Sequence, residues 1–126
     1  LDQGKREKIA KFLKEFKRIA TTGRGLHLIP RAENIACLAE LGITKKNQKE
    51  EIMNLSAEDY CEGPEPDKDR PGVIWVFGKR ISGKEVYIKL KIAQVGRETI
   101  AKCLSFHPAK HPLCFPFKPG EGGDKK

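Results

Sequence analysis

The sequence predicts an α+β fold in which N-terminal helices pack on one face of a small, mainly antiparallel β-sheet. Three observations carry this expectation. Apolar residues recur at three- and four-residue intervals through the first half, and from about residue 73 onward they alternate with polar ones. Between the halves, "CEGPEPDKDRPG", residues 61–72, holds three prolines and two glycines and reads as a loop with no regular element through Pro64, Pro66 and Pro71. Helices followed by an antiparallel meander are an α+β order. At 126 residues the chain suits one domain with one core. That domain is expected over residues 1–118, with a disordered tail at 119–126.

In "GKREKIAKFLKEFKRIATTG", Ile9, Phe12, Leu13, Phe16 and Ile19 form the apolar stripe of an amphipathic helix that ends at Thr21-Thr22-Gly23. Lys5, Lys8, Lys11, Lys14, Lys17 and Arg18 take its other face, which is expected to meet solvent sooner than a ligand. "GLHLIP" suits a short edge strand broken by Pro30. "RAENIACLAELG" predicts a second helix with Ile35, Leu38 and Ala39 inward and Gly42 as its stop. Thr44 is placed to cap a third helix bearing Ile52, Met53 and Leu55 on one side, and Ser56 with Asp59 resembles a capping motif for one more turn. "VIWVFGKRI" and "KEVYIKLKIAQ", joined by Ser82-Gly83, predict a β-hairpin. "QVGRE" supplies the next turn and "TIAKCLSFH" the last strand, after which Leu113, Phe115 and Phe117 are expected to wrap the sheet edge.

Composition narrows the partners. Lys and Arg number 25 against 17 Asp and Glu, a formal net charge of +8. Such a balance attracts polyanions, of which nucleic acid is the commonest in a cytoplasm, although a solubilising lysine surface has the same composition. No run approaches the roughly 18 apolar residues of a membrane helix, and the N-terminal residues lack a secretory leader pattern. The four cysteines are scattered without a CxxC pair, which points to reduced thiols. The expected location is cytoplasmic, without membrane attachment.

Alternation sorts the hairpin into faces. Val86, Ile88, Leu90 and Ile92 point toward the core, and Tyr87, Lys89 and Lys91 toward an open surface. In the last strand Leu104 and Phe106 suit the core, which leaves Cys103, Ser105 and His107 open and makes Lys102 a break in the pattern. A histidine near lysines and a tyrosine suits RNA cleavage without a metal: the histidine moves protons, the cations hold phosphate charge and the phenol stacks or donates. Lysines and a tyrosine are also ordinary furniture of a solvent-facing sheet.

Taken together, "LSAEDY", the proline- and charge-rich loop, "IWVFGKRISGKEVYIKLKI" and a strand ending "SFH" resemble the MqsR-type toxins, among the RelE-like mRNA interferases of bacterial toxin–antitoxin systems. "GLHLIPRAENIACLAELGIT" fits that family's short strand and helix more loosely, so the match spans about residues 5–117. The resemblance implies a RelE-like domain, an endoribonuclease (a hydrolase of mRNA that arrests translation) needing no cofactor or metal, and a cognate antitoxin that binds it as a hetero-oligomer. Tyr87 matches a functional tyrosine of the family, and His107 falls where other members carry a basic residue, usually lysine. Two positions depart: Glu62 stands near a family lysine and Val76 near a family glutamine. Lys68 and Arg70, or Lys79 and Arg80, are candidates to replace that charge.

Cys103, His107, His111 and Cys114 also have the residue types of a zinc site. An extended strand would set residues 103 and 107 roughly 13 Å apart, and Pro108 and Pro112 stiffen the segment beyond it, so no metal is assigned. The expected catalytic residues are His107 and Tyr87. The expected RNA or phosphate ligands are Lys89, Lys91, Arg80, Lys79, Arg70, Lys68 and His111, the last equally suited to an antitoxin contact or to solvent. The competing expectation is a non-catalytic basic RNA-binding or regulatory protein. A third is an interaction protein whose basic surface holds an acidic partner.

Overall fold

Residues 3–22 and 24–118 are described by the computed structural model; the tail expected at 119–126 lies outside them. Helix α1 (Gln3–Ala20) is followed by β1 (Leu26–Leu28), α2 (Ala32–Leu41), α3 (Lys45–Met53), a 3-10 turn (Ala57–Asp59), β2 (Tyr60–Pro66), β3 (Val73–Ile81), β4 (Lys84–Val95) and β5 (Glu98–Pro108). The strands form one five-stranded sheet in the order β1-β5-β4-β3-β2. Neighbours are antiparallel except β1, which lies parallel to β5. No helix of the described residues is long and apolar enough to cross a membrane.

The α1 stripe forms as its spacing requires, with Ile9, Leu13, Phe16 and Ile19 buried. Phe12 stacks on Trp75 of β3 at a centroid distance of 4.8 Å, which places α1 against the face that carries Trp75, Phe77, Ile88, Leu90 and Phe106. Burying such aromatic area accounts for much of the attraction between helix and sheet. Thr44 caps α3 through a reciprocal pair with Asn47, and Ser56 pairs likewise with Asp59. In the β3–β4 turn Ser82 and Gly83 both have positive φ, 52° and 79°, the geometry a two-residue hairpin loop prefers.

The structure corrects the expected faces in three places. Helix α2 turns Asn34, Cys37 and Leu41 inward, whereas Ile35 is 54% exposed and Ala39 also faces out. Residues 61–66, expected as the first half of an irregular loop over 61–72, belong with Tyr60 to the edge strand β2. Its pairing with β3 is broken by register shifts between Tyr60, Glu62 and Glu65, and an edge strand of this kind tolerates prolines because one side of its backbone has no partner. Between β4 and β5, Lys89 pairs with Ser105 but Leu90 pairs with Cys103, so Leu104 is an extra residue in a β-bulge. The bulge reverses the alternation below it. Cys103 enters the core and is 1% exposed, while Lys102 and Leu104 face the open side.

Asn34 explains both the bulge and the rotation of α2. Its Nδ2 donates to the carbonyls of Ile29 and Leu104, each at 3.0 Å, and its Oδ1 accepts from the Phe106 amide at 3.0 Å. The polar side chain thereby takes the place of a strand partner on β5 where β1 has ended. Beyond β5 the chain crosses the open face: the Ala109 amide donates to the Glu85 carbonyl at 2.8 Å, and Leu113 and Phe115 occupy the space above Gly78 that a Cβ would need. Phe117 then reaches the core beside Tyr60.

Leu at position 34 keeps the branching at Cγ but takes the Asn34 partner from the Phe106 amide and the Leu104 carbonyl, while the Ile29 carbonyl still accepts from the Arg31 amide. A buried group that loses its partner costs about 1–3 kcal/mol. Asn34→Leu is therefore expected to lower unfolding free energy by at least about 2 kcal/mol in urea titration and to speed hydrogen exchange at the Phe106 amide. Unchanged values for both would show that the bulge does not depend on this side chain.

Candidate functional site

Strand pairing arranges the open face in three cross-strand rows. In the first, Gly78, Tyr87 and His107 are neighbours on β3, β4 and β5. The second runs Glu62, Val76, Lys89, Ser105 across β2 to β5, and the third runs Glu65, Ile74, Lys91, Lys102. Two lobes of a trough open above these rows. One, of about 540 Å³, lies between Arg31 and the 65–70 segment, with Lys89, Lys91 and Lys102 beneath. The other, about 430 Å³, lies between Glu62, Arg31 and the strap at 110–113, over Tyr87, Ser105 and His107. Arg31, Tyr87 and Lys89 line both lobes.

The Tyr87 and His107 rings stack with centroids 5.3 Å apart and planes 26° from parallel. His107 Nδ1 lies 3.0 Å from the Pro108 carbonyl. A carbonyl only accepts, so Nδ1 carries a proton and Nε2 is the nitrogen that exchanges one. Nε2 stands 3.6 Å from Glu33 Oε1, and the Glu33 carboxyl is held below its ordinary range, first by the His107 charge and then by the hydrogen bond from Lys110. Burial, followed by the negative potential of Glu62 and Glu65, pushes the Tyr87 phenol up. It stays protonated at neutral pH and is a hydrogen-bond donor and stacking surface rather than a base.

Two cations meet this stack. Lys89 Nζ lies 5.9 Å from the Tyr87 ring centroid, within cation–π range. Arg31, immediately before α2, brings Nη1 to 3.5 Å from Ser105 Oγ. On the β2 side, partial desolvation and the Glu65 carboxyl, which shares a hydrogen bond with it, push the Glu62 carboxyl up.

The expected residues divide into those brought to the trough and those kept from it. Tyr87, His107, Lys89, Lys68, Arg70 and His111 all line it. Lys91 also borders it, but its side chain is 4% exposed and bonded to Asp67 Oδ2 at 2.6 Å, so it anchors the 67–72 segment instead of offering an ammonium to a ligand. Lys79 pairs with the core residue Val86 and points to α3, 3.7 Å from Glu51; its position on the helix side of the sheet follows from its parity with Phe77. Arg80 sits at the hairpin end and donates to the Gly83 carbonyl at 2.8 Å, away from both lobes. Cys103 and His107 occupy opposite faces of β5, so the zinc quartet does not converge, and burial pushes the Cys103 thiol to about 12.

Arg31, Glu33, Glu62, Lys102 and Lys110 were not expected in the trough. Two of them left a trace in the sequence: Lys102 as the residue that broke the predicted alternation, and Glu62 as a departure from the resembled family's lysine. The chain matches no family model, curated protein or solved structure, so a functional reading rests on this geometry and on the motif resemblance.

The Lys91–Asp67 pair has a pH signature. The Lys91 hydrogen bond, then the Asp69 amide, lowers the Asp67 carboxyl from 3.8 to about 2. A carboxyl depressed in the folded state adds stability that is present above its unfolded value and disappears as pH falls through its folded value. Between pH 4 and pH 2 the wild type is thus expected to lose a contribution that Asp67→Asn lacks throughout. Urea titrations at pH 5, 3 and 2 should show the difference between the two proteins shrinking toward zero; a constant difference would contradict the pairing.

Proposed function

We propose that this chain is a metal-independent endoribonuclease that cleaves single-stranded mRNA, acting as the toxin of a bacterial toxin–antitoxin pair in the cytoplasm. The observation that carries the reading is the Tyr87–His107 stack beside Lys89 and Arg31, at the floor of the trough between Arg31, the 65–70 segment and the strap at 110–113. Cleavage needs the 2′-hydroxyl deprotonated, the phosphorane charge held and the 5′-oxygen protonated. Nε2 of His107 faces the Glu33 carboxylate, a counter-ion for the imidazolium, and supplies the proton to the leaving oxygen. Lys89 and Arg31 hold the non-bridging oxygens, the role for which fixed cations in a partly dry site are most effective. Tyr87 stacks on a base or donates to the phosphate. The products are a 2′,3′-cyclic phosphate and a 5′-hydroxyl.

The runner-up is a basic RNA-binding protein without catalysis, favoured by Glu62 and Val76 at the positions where similar toxins carry lysine and glutamine. Binding of that kind is strongly salt-dependent and leaves RNA intact. An acidic antitoxin seated over the trough would block either activity.

One experiment separates the two. Purified protein incubated with a defined mRNA in EDTA is expected to give discrete fragments with 5′-hydroxyl ends. His107→Ala is expected to slow cleavage by about 10²–10⁴-fold while still binding RNA. Intact RNA after prolonged incubation, with salt-sensitive binding, would establish the non-catalytic reading instead.

A further inference from the structure

Phosphate chemistry at the Tyr87–His107 stack uses one lobe of the trough and gives no role to the larger one, between Arg31 and the 65–70 segment. We propose that Arg70 and Lys102 hold a second phosphate of the same RNA strand there, so that the substrate is an oligonucleotide whose backbone continues past the scissile phosphate over β4 and β5. The inference rests on the endoribonuclease reading for the identity of the first phosphate. Tyr87 is in register with His107, Lys89 with Ser105 and Lys91 with Lys102. Four residues separate Tyr87 from Lys91, or roughly 13 Å along the strand. One phosphate group cannot span that distance, so a cation in the Lys102 row meets a different phosphate from the one at the Tyr87 row. Arg31, Tyr87 and Lys89 line both lobes, which makes the two positions neighbours in a single trough.

Lys102 stands on the floor because the Leu104 bulge turns it to the open face. Arg70 stands on the rim, in the segment that the Lys91–Asp67 pair ties to the sheet. Both also line the next hollow, of about 290 Å³, above Ala93 and Gln94, and no carboxylate is among the described residues that line it. Neither side chain makes an ion pair or a side-chain hydrogen bond among the described residues. Two cations beside one hollow with no carboxylate to answer them repel each other until an anion sits there. The nearby acids are otherwise engaged. Asp67 is neutralised by Lys91, and Asp69 shares its wall with the neighbouring cation Lys68. Glu65 is in the Lys102 row but three strands across, on β2, where it hydrogen-bonds Glu62. Ile29, Ile74 and Leu104 also line the lobe, and apolar walls strengthen an ionic contact by excluding water. Arg70 brings a planar fork and Lys102 a point charge, both donors only, which suits the acceptor oxygens of a phosphate.

The test pairs charge removal on the protein with charge removal on the RNA. The RNA is a single-site oligonucleotide with 2′-deoxyribose at the cleavage position, which binds without being cut, and its phosphates are replaced one at a time by uncharged methylphosphonate. Wild type is expected to bind about 5-fold more weakly at about 0.1 M salt when one flanking phosphate is neutralised, the loss that a single-strand salt slope of about 0.7 per phosphate contact gives. The double variant Arg70→Gln, Lys102→Gln is expected to show the same weakening with unmodified RNA and a slope smaller by about 0.7. It should lose nothing further with that methylphosphonate, because the two changes remove one and the same contact. In cleavage of the all-ribose RNA its loss falls on KM, since the second phosphate is held alike in ground and transition states. Equal methylphosphonate losses in wild type and double variant at every position would overturn the proposal, as would a double variant that binds as tightly as wild type. Intact all-ribose RNA beside the coupled binding result would overturn the nuclease reading and leave the second phosphate site standing.

Discussion

Residues an odd number apart on a regular strand face opposite ways, and Lys102, Ser105 and His107 would be split between the two sides of β5 if that strand were regular. The extra residue at Leu104 brings all three to one face, in register with Lys91, Lys89 and Tyr87. A bulge in a strand leaves backbone groups without ladder partners, and here the outer side of β5 has also lost β1, whose last rung is the Ile29 amide bonded to Cys103 oxygen at 3.1 Å. Asn34 meets both deficits because one amide side chain offers donors and an acceptor at once. The same residue fixes the rotation of α2 and so the placement of Arg31 and Glu33 beside the trough. Fold and site therefore depend on a single buried side chain.

The floor of the trough is sheet and its walls are tied down by a few contacts. On one side Lys91 bonds Asp67, Asp67 accepts from the Asp69 amide at 2.9 Å, and Gly72, with φ of 111°, lets the chain pass over the Lys91 stem. On the other, the strap is held by Glu85, whose backbone carbonyl takes the Ala109 amide and whose Oε1 takes the Leu113 amide at 3.3 Å. A rigid floor with separately anchored walls suits an elongated, flexible polyanion, since the groups that touch phosphate stay fixed while the rims bear little load. The basic character of the chain is accordingly divided. Some cations act structurally, such as Lys17, bonded to the Leu55 carbonyl at 2.6 Å, and others line the trough.

Much of this was legible in the sequence. The period of α1, the Thr44 cap, the Ser82-Gly83 turn and the pairing of Tyr87 with His107 of the last strand all follow from local rules that the structure obeys. What the sequence concealed has a common cause, namely polar groups serving backbone needs that only tertiary contact creates. Ile35 faces solvent because Asn34 had to face β5. Residues 60–66 form a strand because an edge position forgives Pro64 and Pro66. Lys91 alternates as a surface residue should, yet it lies under the loop because Asp67 comes to meet it. Arg31 and Glu33 are distant from the hairpin in sequence and reach the site only through the parallel β1–β5 pairing. Glu62 was visible as a departure from a family pattern, but its place beside the trough, opposite Val76, depends on the register shifts of β2.

If the trough is the site of action, RNA lies along the open sheet face and not along the lysine-rich side of α1. Photo-crosslinking a 2′-deoxy-blocked single-stranded RNA to the intact protein, followed by peptide mapping, distinguishes the two surfaces. Crosslinks confined to the β4 and β5 segments around Tyr87 and His107 and to Arg31 are the predicted result. Crosslinks concentrated on the α1 segment around Lys8, Lys11 and Lys14, with the sheet face unlabelled, would contradict it.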